Sequence, residues 1–274
     1  MLNTIFNEDC LLTLSKMDTH SINVVLTSPP YNTGRPTTSD RGRDNHEGRY
    51  DVHMDNISTN EFRNWCVEIF NNFDRVLVPN GVVLWNMSYA SDDSVNTENN
   101  DLMWLVVADI ISRTNFTVAD RIIWKKHSAL PNNVSSNKLT RVCEDVFVFV
   151  RKDERMTFTA NKKVSSVGKT GQIFYTPIEN FIYAKNNDGS CPYNKATYST
   201  DLCTQLLNIY APKNSVVYDP FMGSGTTAVA CKQLGHSYIG SEISENQVKW
   251  AENRLSDTTT ITMDGQTITK QSLF

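Results

Sequence analysis

Ser215-Val216-Val217-Tyr218-Asp219-Pro220-Phe221-Met222-Gly223-Ser224-Gly225-Thr226-Thr227 reads as an apolar strand entering a glycine turn, and Ala228 to Leu234 continues as a helix. Strand, glycine turn, helix is the arrangement that holds a nucleotide-like ligand at a helix N-terminus. Gly223 and Gly225 lack a Cβ and let the backbone come close to such a ligand. The glycine spacing is not that of a dinucleotide fingerprint, and no Gly-Lys-Ser/Thr follows, which argues against a phosphate clamp. Ser237-Tyr238-Ile239-Gly240-Ser241-Glu242 is a short strand ending in an acid. It lies about twenty residues beyond the glycine turn, where an acid accepts from ribose hydroxyls. A ligand with a ribose and no phosphate fits both features.

Almost two hundred residues earlier, Ile22-Asn23-Val24-Val25-Leu26 reads as a buried strand. Thr27-Ser28-Pro29-Pro30-Tyr31 follows it, and the two prolines force a rigid, non-helical exit. Such an exit can gather Ser28 Oγ, the backbone carbonyls and the Tyr31 ring around a planar, amino-bearing ring. It also reads as a structural Pro-Pro turn at a sheet edge.

Strand-like and helix-like stretches alternate along the chain, which indicates an α/β sheet, largely parallel. Glu61 to Val76 places Phe62, Trp65, Ile69, Phe73 and Val76 near one helical face. Pro79-Asn80-Gly81 turns into the strand Val82 to Trp85, Leu102 to Ile111 reads as a helix, and Phe116 to Trp124 and Asp145 to Val150 as strands. The polar stretch from Asn32 to Asn60 is too long for a routine connection and carries Arg35, Arg41, Arg43 and Arg49. Arg151 to Tyr193 breaks the rhythm, with Lys162, Lys163 and Lys169 around isolated apolar pieces, and reads as a small inserted module. Thr258 to Leu273 alternates around Asp264-Gly265, which reads either as a peripheral hairpin or as a frayed tail. The expected division is 1–150, 151–193, 194–255 and 256–274.

At 274 residues the chain can hold one sizeable core and a minor module. No long apolar run suggests a membrane span, and no opening signal segment is visible. Cysteines at 10, 66, 143, 191, 203 and 231 form no Cys-x-x-Cys pair, and the five histidines do not cluster. Metal and disulfide frameworks are therefore not expected, and reduced thiols in a cytoplasmic setting are. The net charge is −4, yet Arg121 to Lys195 carries +7. That local excess fits either a phosphate-backbone footprint or a solvated face.

The two motifs, in this order, resemble the β-arrangement of the DNA amino-methyltransferases. There the Ser-Pro-Pro-Tyr loop comes first, a target-recognition region lies between, and the cofactor glycine motif comes late. Asn7-Glu8-Asp9-Cys10 is similar to the family's opening acidic strand, with Asp9 near the adenosyl group. Arg75 to Gly81 resembles its helix-to-strand turn, with Asn80 where a Gly is usual. Ile122-Ile123-Trp124-Lys125-Lys126 resembles the segment near the target base. The stretch before the glycine turn is usually His-Pro-Ala-Thr-Phe-Pro and here is Asn194-Lys195-Ala196-Thr197-Tyr198-Ser199.

The resemblance implies a Rossmann-like methyltransferase fold with a mostly parallel seven-stranded sheet. It implies S-adenosyl-L-methionine as cofactor, held by Asp9, Cys10, Thr27, Ala196, Thr197, Tyr198, Asp219, Phe221, Gly223, Ser224, Gly225, Thr226 and Glu242. Ser28, Pro29, Pro30 and Tyr31 are the implied catalytic residues, and double-stranded DNA is the implied partner. A homodimer and a companion restriction endonuclease stay open. Ser at position 28 leans toward cytosine N4, whereas Asp there leans toward adenine N6. A ring-carbon enzyme would need a Pro-Cys nucleophile, and the chain has only the reverse, Cys191-Pro192. Several residues have two readings at this point. Asp9 is also a helix N-cap candidate, Asp219 a brace for the turn, and Glu242 a surface acid. Phe221 and Trp124 are core or pocket wall, and Lys125 and Lys126 are solvent charges or phosphate contacts.

Overall fold

The structure is a computed structural model that describes residues 1–32, 52, 57–88, 101–129, 131–133, 136, 139–189, 191–194, 196–263 and 266–271. The four arginines of the polar stretch after Asn32 lie outside the described residues. The first half runs β1 (Thr4–Phe6), α1 (Cys10–Lys16), β2 (Ile22–Thr27), α2 (Thr59–Val76), β3 (Leu77–Met87), α3 (Leu102–Arg113), β4 (Phe116–Lys126) and β5 (Cys143–Arg151). The second half runs β6 (Val164–Val167), β7 (Ile173–Tyr175), β8 (Phe181–Ala184), α4 (Thr200–Tyr210), β9 (Val216–Asp219), α5 (Thr226–Leu234), β10 (Ser237–Ser241), α6 (Glu245–Ser256), β11 (Thr258–Met263) and β12 (Gln266–Gln271).

Among the described residues the main sheet has eight strands in the order β1-β10-β9-β2-β3-β5-β4-β8. It is an α/β sheet in which β5 alone runs against its neighbours, antiparallel to both β3 and β4. The expected count of seven is corrected to eight. The extra strand, β8, comes from the stretch read as an inserted module and lies parallel to β4, with Ile123 opposite Phe181 and Lys126 opposite Ala184. Phe181 and Tyr183 face out while Ile182 and Ala184 are buried, the alternation of a half-covered edge strand. The remainder of that stretch makes a separate two-stranded sheet of β6 and β7, exposed at every residue. The C-terminal strands β11 and β12 pair antiparallel, the hairpin of the two readings, from Thr258 with Gln271 to Met263 with Gln266. Residues 264 and 265 lie outside the described residues.

Burial explains the strand and helix choices. β2 is buried along nearly its whole length because helices cover both faces of the sheet. On one face α2 inserts Phe70 among Phe73, Trp85, Phe116 and Phe149, with ring centroids 5.0 to 5.4 Å apart. Each fully buried large apolar side chain contributes roughly 1.5–3 kcal/mol, and edge-to-face pairs add about 0.5–1.5 kcal/mol. α2 starts sharply because Ser58 and Glu61 form a reciprocal capping box. The opposite face packs α4 and α5 over Val24, Leu26, Val148 and Val217. Among the described residues no helix is long and apolar enough to cross a membrane.

The order of strands positions the site. From β9 the chain crosses through α5 to β10 on one side; from β2 it crosses through α2 to β3 on the other. The connections that leave the neighbouring strands β2 and β9 therefore depart in opposite directions, and a crevice opens beyond their carboxyl ends, the usual ligand position in an open α/β sheet.

Candidate active site

Pairing of Val24 with Val217 and Val25 with Tyr218 sets the ends of β2 and β9 side by side. The two distant motifs then meet directly: Thr27 Oγ1 donates to Asp219 Oδ1 at 2.6 Å. Asp219 is fully buried and accepts three further hydrogen bonds. Phe221 N–H donates to Oδ1 at 3.0 Å, while Thr227 Oγ1 (2.6 Å) and Tyr198 Oη (3.0 Å) donate to Oδ2. Burial pushes the Asp219 carboxyl up from its ordinary range, and the bonds from Thr227, Thr27, Phe221 and Tyr198 oppose that rise. Burial likewise pushes the Tyr198 phenol up, helped by the neighbouring Asp219 charge. The geometry of Asp219 is that of a brace linking the strand ends to the glycine turn.

A cleft of about 450 Å³ opens above this brace. Ser28 and Pro30 line it from the β2 side, and Asp9 and Cys10 from the start of α1. Phe221, Gly223, Ser224 and Thr226 line it from the glycine turn, Glu242 from the end of β10, and Ala196, Thr197 and Tyr198 from the segment before α4. Five named residues stand behind this wall. Thr27 and Asp219 form the brace, and Pro29 and Gly225 do not line the cleft. Tyr31 does not line it either; its ring packs against the aromatic core and its hydroxyl lies 3.0 Å from Ser28 Oγ.

Local geometry accounts for several identities. Asp9 both caps α1, with Leu11 N–H donating to its Oδ1 at 2.8 Å, and borders the cleft. The adjacent Cys10 thiol is pushed up by burial and by the Asp9 charge. Glu242 Oε2 accepts from Gly223 N–H and Oε1 from Ser244 N–H, both at 2.9 Å, so one carboxylate ties β10 to the glycine turn. Gly223 has φ +54°, and a Cβ there would come within 3.0 Å of Asn194 Nδ2. Gly225 has φ +83° and serves packing: a Cβ would lie 2.6 Å from Ala251 Cβ in α6. Its freedom therefore joins α5 to α6, whereas the sequence suggested close approach to a ligand. Phe221 fulfils both of its readings, packing against the core cluster while its ring sits 5.2 Å from Trp65 at the cleft wall. Trp124 is core, with Nε1 donating to Ala184 O at 3.3 Å. Lys126 is engaged in an ion pair with Glu144.

Sequence reading missed other parts of the site. Asn194 Nδ2 donates to Gln247 Oε1 at 2.9 Å while Asn194 Oδ1 accepts from Ala196 N–H at 2.8 Å. A residue counted as a departure from the family pattern thus organises the segment before α4. Arg254 donates to Ser224 O (2.8 Å), to Ser224 Oγ and Thr226 Oγ1 (both 3.1 Å), and to Asp188 Oδ2 (2.9 Å). Asn86 and Glu144 reach the Tyr31 hydroxyl at 2.8 and 3.2 Å. No sequence signal marked Arg254, Asn86 or Glu144, because each arrives through strand or helix pairing.

Known proteins resemble this chain over nearly its whole length. It is 25% identical over 271 residues to the type II methyltransferase M.BglII of Bacillus subtilis, covering 93% of this chain and 69% of that protein. It is 26% identical over 281 residues to M.Cfr9I of Citrobacter freundii, covering 92% and 87%. The fold superimposes on the cytosine-N4-specific PvuII DNA methyltransferase with a TM-score of 0.68 at 17% identity, covering 92% of this chain and 86% of that one. It also superimposes on the M1.HpyAVI–SAM complex with a TM-score of 0.57 at 19% identity, covering 92% and 98%. A family model described as DNA methylase matches residues 22–253. The chain belongs to the N6/N4 DNA methylase family.

Proposed function

We propose that this protein transfers a methyl group from S-adenosyl-L-methionine to the exocyclic N4 amine of a cytosine flipped out of double-stranded DNA. One observation carries the reading: Ser28 and Pro30 of the proline bend line a single cleft with the glycine turn, joined beneath by the Thr27–Asp219 bond. The cleft volume of about 450 Å³ falls in the range of small-molecule sites. Its residues suit the cofactor. Glu242 stands at the end of β10, where ribose hydroxyls find an acceptor. Trp65 and Phe221 offer an apolar wall. Close packing at Gly223 leaves backbone where a side chain would intrude. When bound, S-adenosyl-L-methionine supplies a methyl group on a positively charged sulfur.

The chain's own residues do the rest by positioning and by electrostatics. Ser28 Oγ, which lines the cleft, accepts from the amine and holds its lone pair toward the cofactor side. Extruding the base costs a few kcal/mol. Phosphate contacts from the basic stretch between Arg121 and Lys195 help offset that cost, and Lys162, Lys163 and Lys169 are exposed there. Family membership supports DNA as the substrate, and the neutral Ser28 in place of an acid favours N4 over adenine N6. In the test, the protein is incubated with duplex DNA and methyl-labelled cofactor, and the DNA is digested to nucleosides. N4-methylcytosine is the expected product. N6-methyladenine would move the target to adenine. Cofactor and DNA binding without any labelled base would leave a DNA-binding protein that keeps the fold.

A further inference from the structure

We infer that Glu144 is a positioning residue for the transfer: it orients the Ser28 hydroxyl through Tyr31 and, along the same path, receives the proton that the methylated amine sheds. The inference rests on the amino-methyltransferase reading above. Ser28 Oγ and Tyr31 Oη are 3.0 Å apart. Tyr31 Oη in turn faces two acceptors, Asn86 Oδ1 at 2.8 Å and Glu144 Oε2 at 3.2 Å. The Asn86 amide is oriented by its Nδ2, which donates to Asp145 O at 3.1 Å. A phenol has one proton. Once it is given to either acceptor, the phenol oxygen accepts from Ser28. The Ser28 hydrogen is then turned toward Tyr31, and its lone pairs are left for the amine in the cleft.

Glu144 is held in place from its other side. Its Oε1 pairs with Lys126 Nζ, and that ammonium also lies 4.9 Å from the centre of the Trp124 ring. The pair is little exposed, 22% for Lys126 and 11% for Glu144, so the strands β4 and β5 fix it firmly. Other acids near the site have separate tasks. Asp145 pairs with Arg121 at 2.6 Å, Asp219 braces the strand ends, and Asp9 caps α1.

The proton balance closes on these groups. After accepting the methyl group, the amine nitrogen bears a positive charge and one surplus proton. That proton passes to Ser28 Oγ as the Ser28 proton passes to Tyr31 Oη and the Tyr31 proton to Glu144 Oε2. The amine becomes neutral, both hydroxyls are restored, and the carboxylate becomes a carboxylic acid that later returns its proton to water. A serine alone offers no lasting home for that proton; a carboxylate two hydrogen bonds away does.

The test compares single-turnover transfer by the wild type, Glu144→Gln, Tyr31→Phe and the double variant, with cofactor and duplex saturating. Gln keeps an acceptor oxygen and gives up the charge. Glu144→Gln should transfer about 100-fold more slowly, the scale of one lost acid–base partner, while Kd for cofactor and for duplex stays within about twofold of the wild type. Glu144→Asp should recover part of the rate. The double variant should be no slower than the slower single variant, since both break one path. Without any ligand, the 19F signal of 3-fluorotyrosine at position 31, assigned by its loss in Tyr31→Phe, should move in Glu144→Gln. If Glu144→Gln fails to fold, Tyr31→Phe alone decides, because it keeps the packed ring. Wild-type rates in either variant, or losses that multiply in the double, overturn the inference while leaving the amino-methyltransferase reading intact. A wild type that methylates no duplex base removes that reading and this one together.

Discussion

Replacing Thr27 by Val tests whether the two motifs are joined as described. The substitution keeps a β-branched side chain of nearly equal volume in a fully buried strand position, so packing and strand preference are preserved. It deletes only the 2.6 Å hydrogen bond to Asp219. A hydrogen bond to a buried charged group is worth about 1.5–3 kcal/mol, against about 0.5–1.5 kcal/mol for a neutral pair. The expected loss is therefore about 1.5–3 kcal/mol where the Asp219 carboxyl is ionised and about 0.5–1.5 kcal/mol where it is protonated. The pH dependence has a definite sign. Burial raises the folded-state value of Asp219 above its unfolded one. A group shifted that way contributes stability that is fully present below the unfolded value and lost as pH rises through the folded one. Thr27 is one of the donors opposing the rise, so its removal lifts the folded value further. The gap between wild type and Thr27→Val should thus be narrow at acid pH and widen as pH climbs out of the carboxylate range. Urea unfolding at several pH values measures it directly. A gap below about 0.5 kcal/mol at neutral pH, or one that grows on acidification, would refute the brace.

Other substitutions separate packing, binding and chemistry. Gly225→Ala forces a left-handed φ on an L-residue, about 1–2 kcal/mol. It also drives a methyl into Ala251, about 1–3 kcal/mol; pairing it with Ala251→Gly should restore part of the urea midpoint, and no recovery would contradict the contact. Glu242→Gln leaves an amide donor facing one of two backbone N–H groups that now meet carboxylate oxygens. Calorimetry should show cofactor affinity weakened by roughly 10-fold or more, in line with the loss of a charge-assisted bond. Ser28→Ala should lower kcat strongly with cofactor affinity unchanged, and normal turnover in that variant would remove Ser28 from the chemistry.

The legible parts of this molecule were those written in contiguous residues. The glycine turn from Asp219 to Thr227 and the bend from Thr27 to Tyr31 carry their conformation in their own glycines and prolines. The helix over Thr59–Val76 shows its buried face as a periodicity. Parts that depend on register were invisible. Glu144 serves Tyr31 only because β5 lies antiparallel between β3 and β4, with Trp85 opposite Phe147 and Trp124 opposite Glu144. Arg254 reaches Ser224 only because α6 packs on α5 across two small residues, Gly225 and Ala251. The strand Phe181–Ala184 is too short to declare itself, and pairing with β4 alone gives it a place. Gly225 shows the opposite difficulty: its local signal was clear, and the reason for it lay in a neighbouring helix.

The ribbon of β6 and β7 has a consequence for how this protein can diversify. Among the described residues it forms no ladder with the main sheet, and Val164, Val167, Ile173, Phe174 and Tyr175 are exposed. Its two roots are moored independently. Asn161 is fastened to the end of α4 through Asn208 O and Ala211 O, and Asn180 to β4 through Arg121 O. Sequence between those moorings can therefore be exchanged wholesale, like a blade in a fixed handle, with the cleft and the aromatic core left as they are.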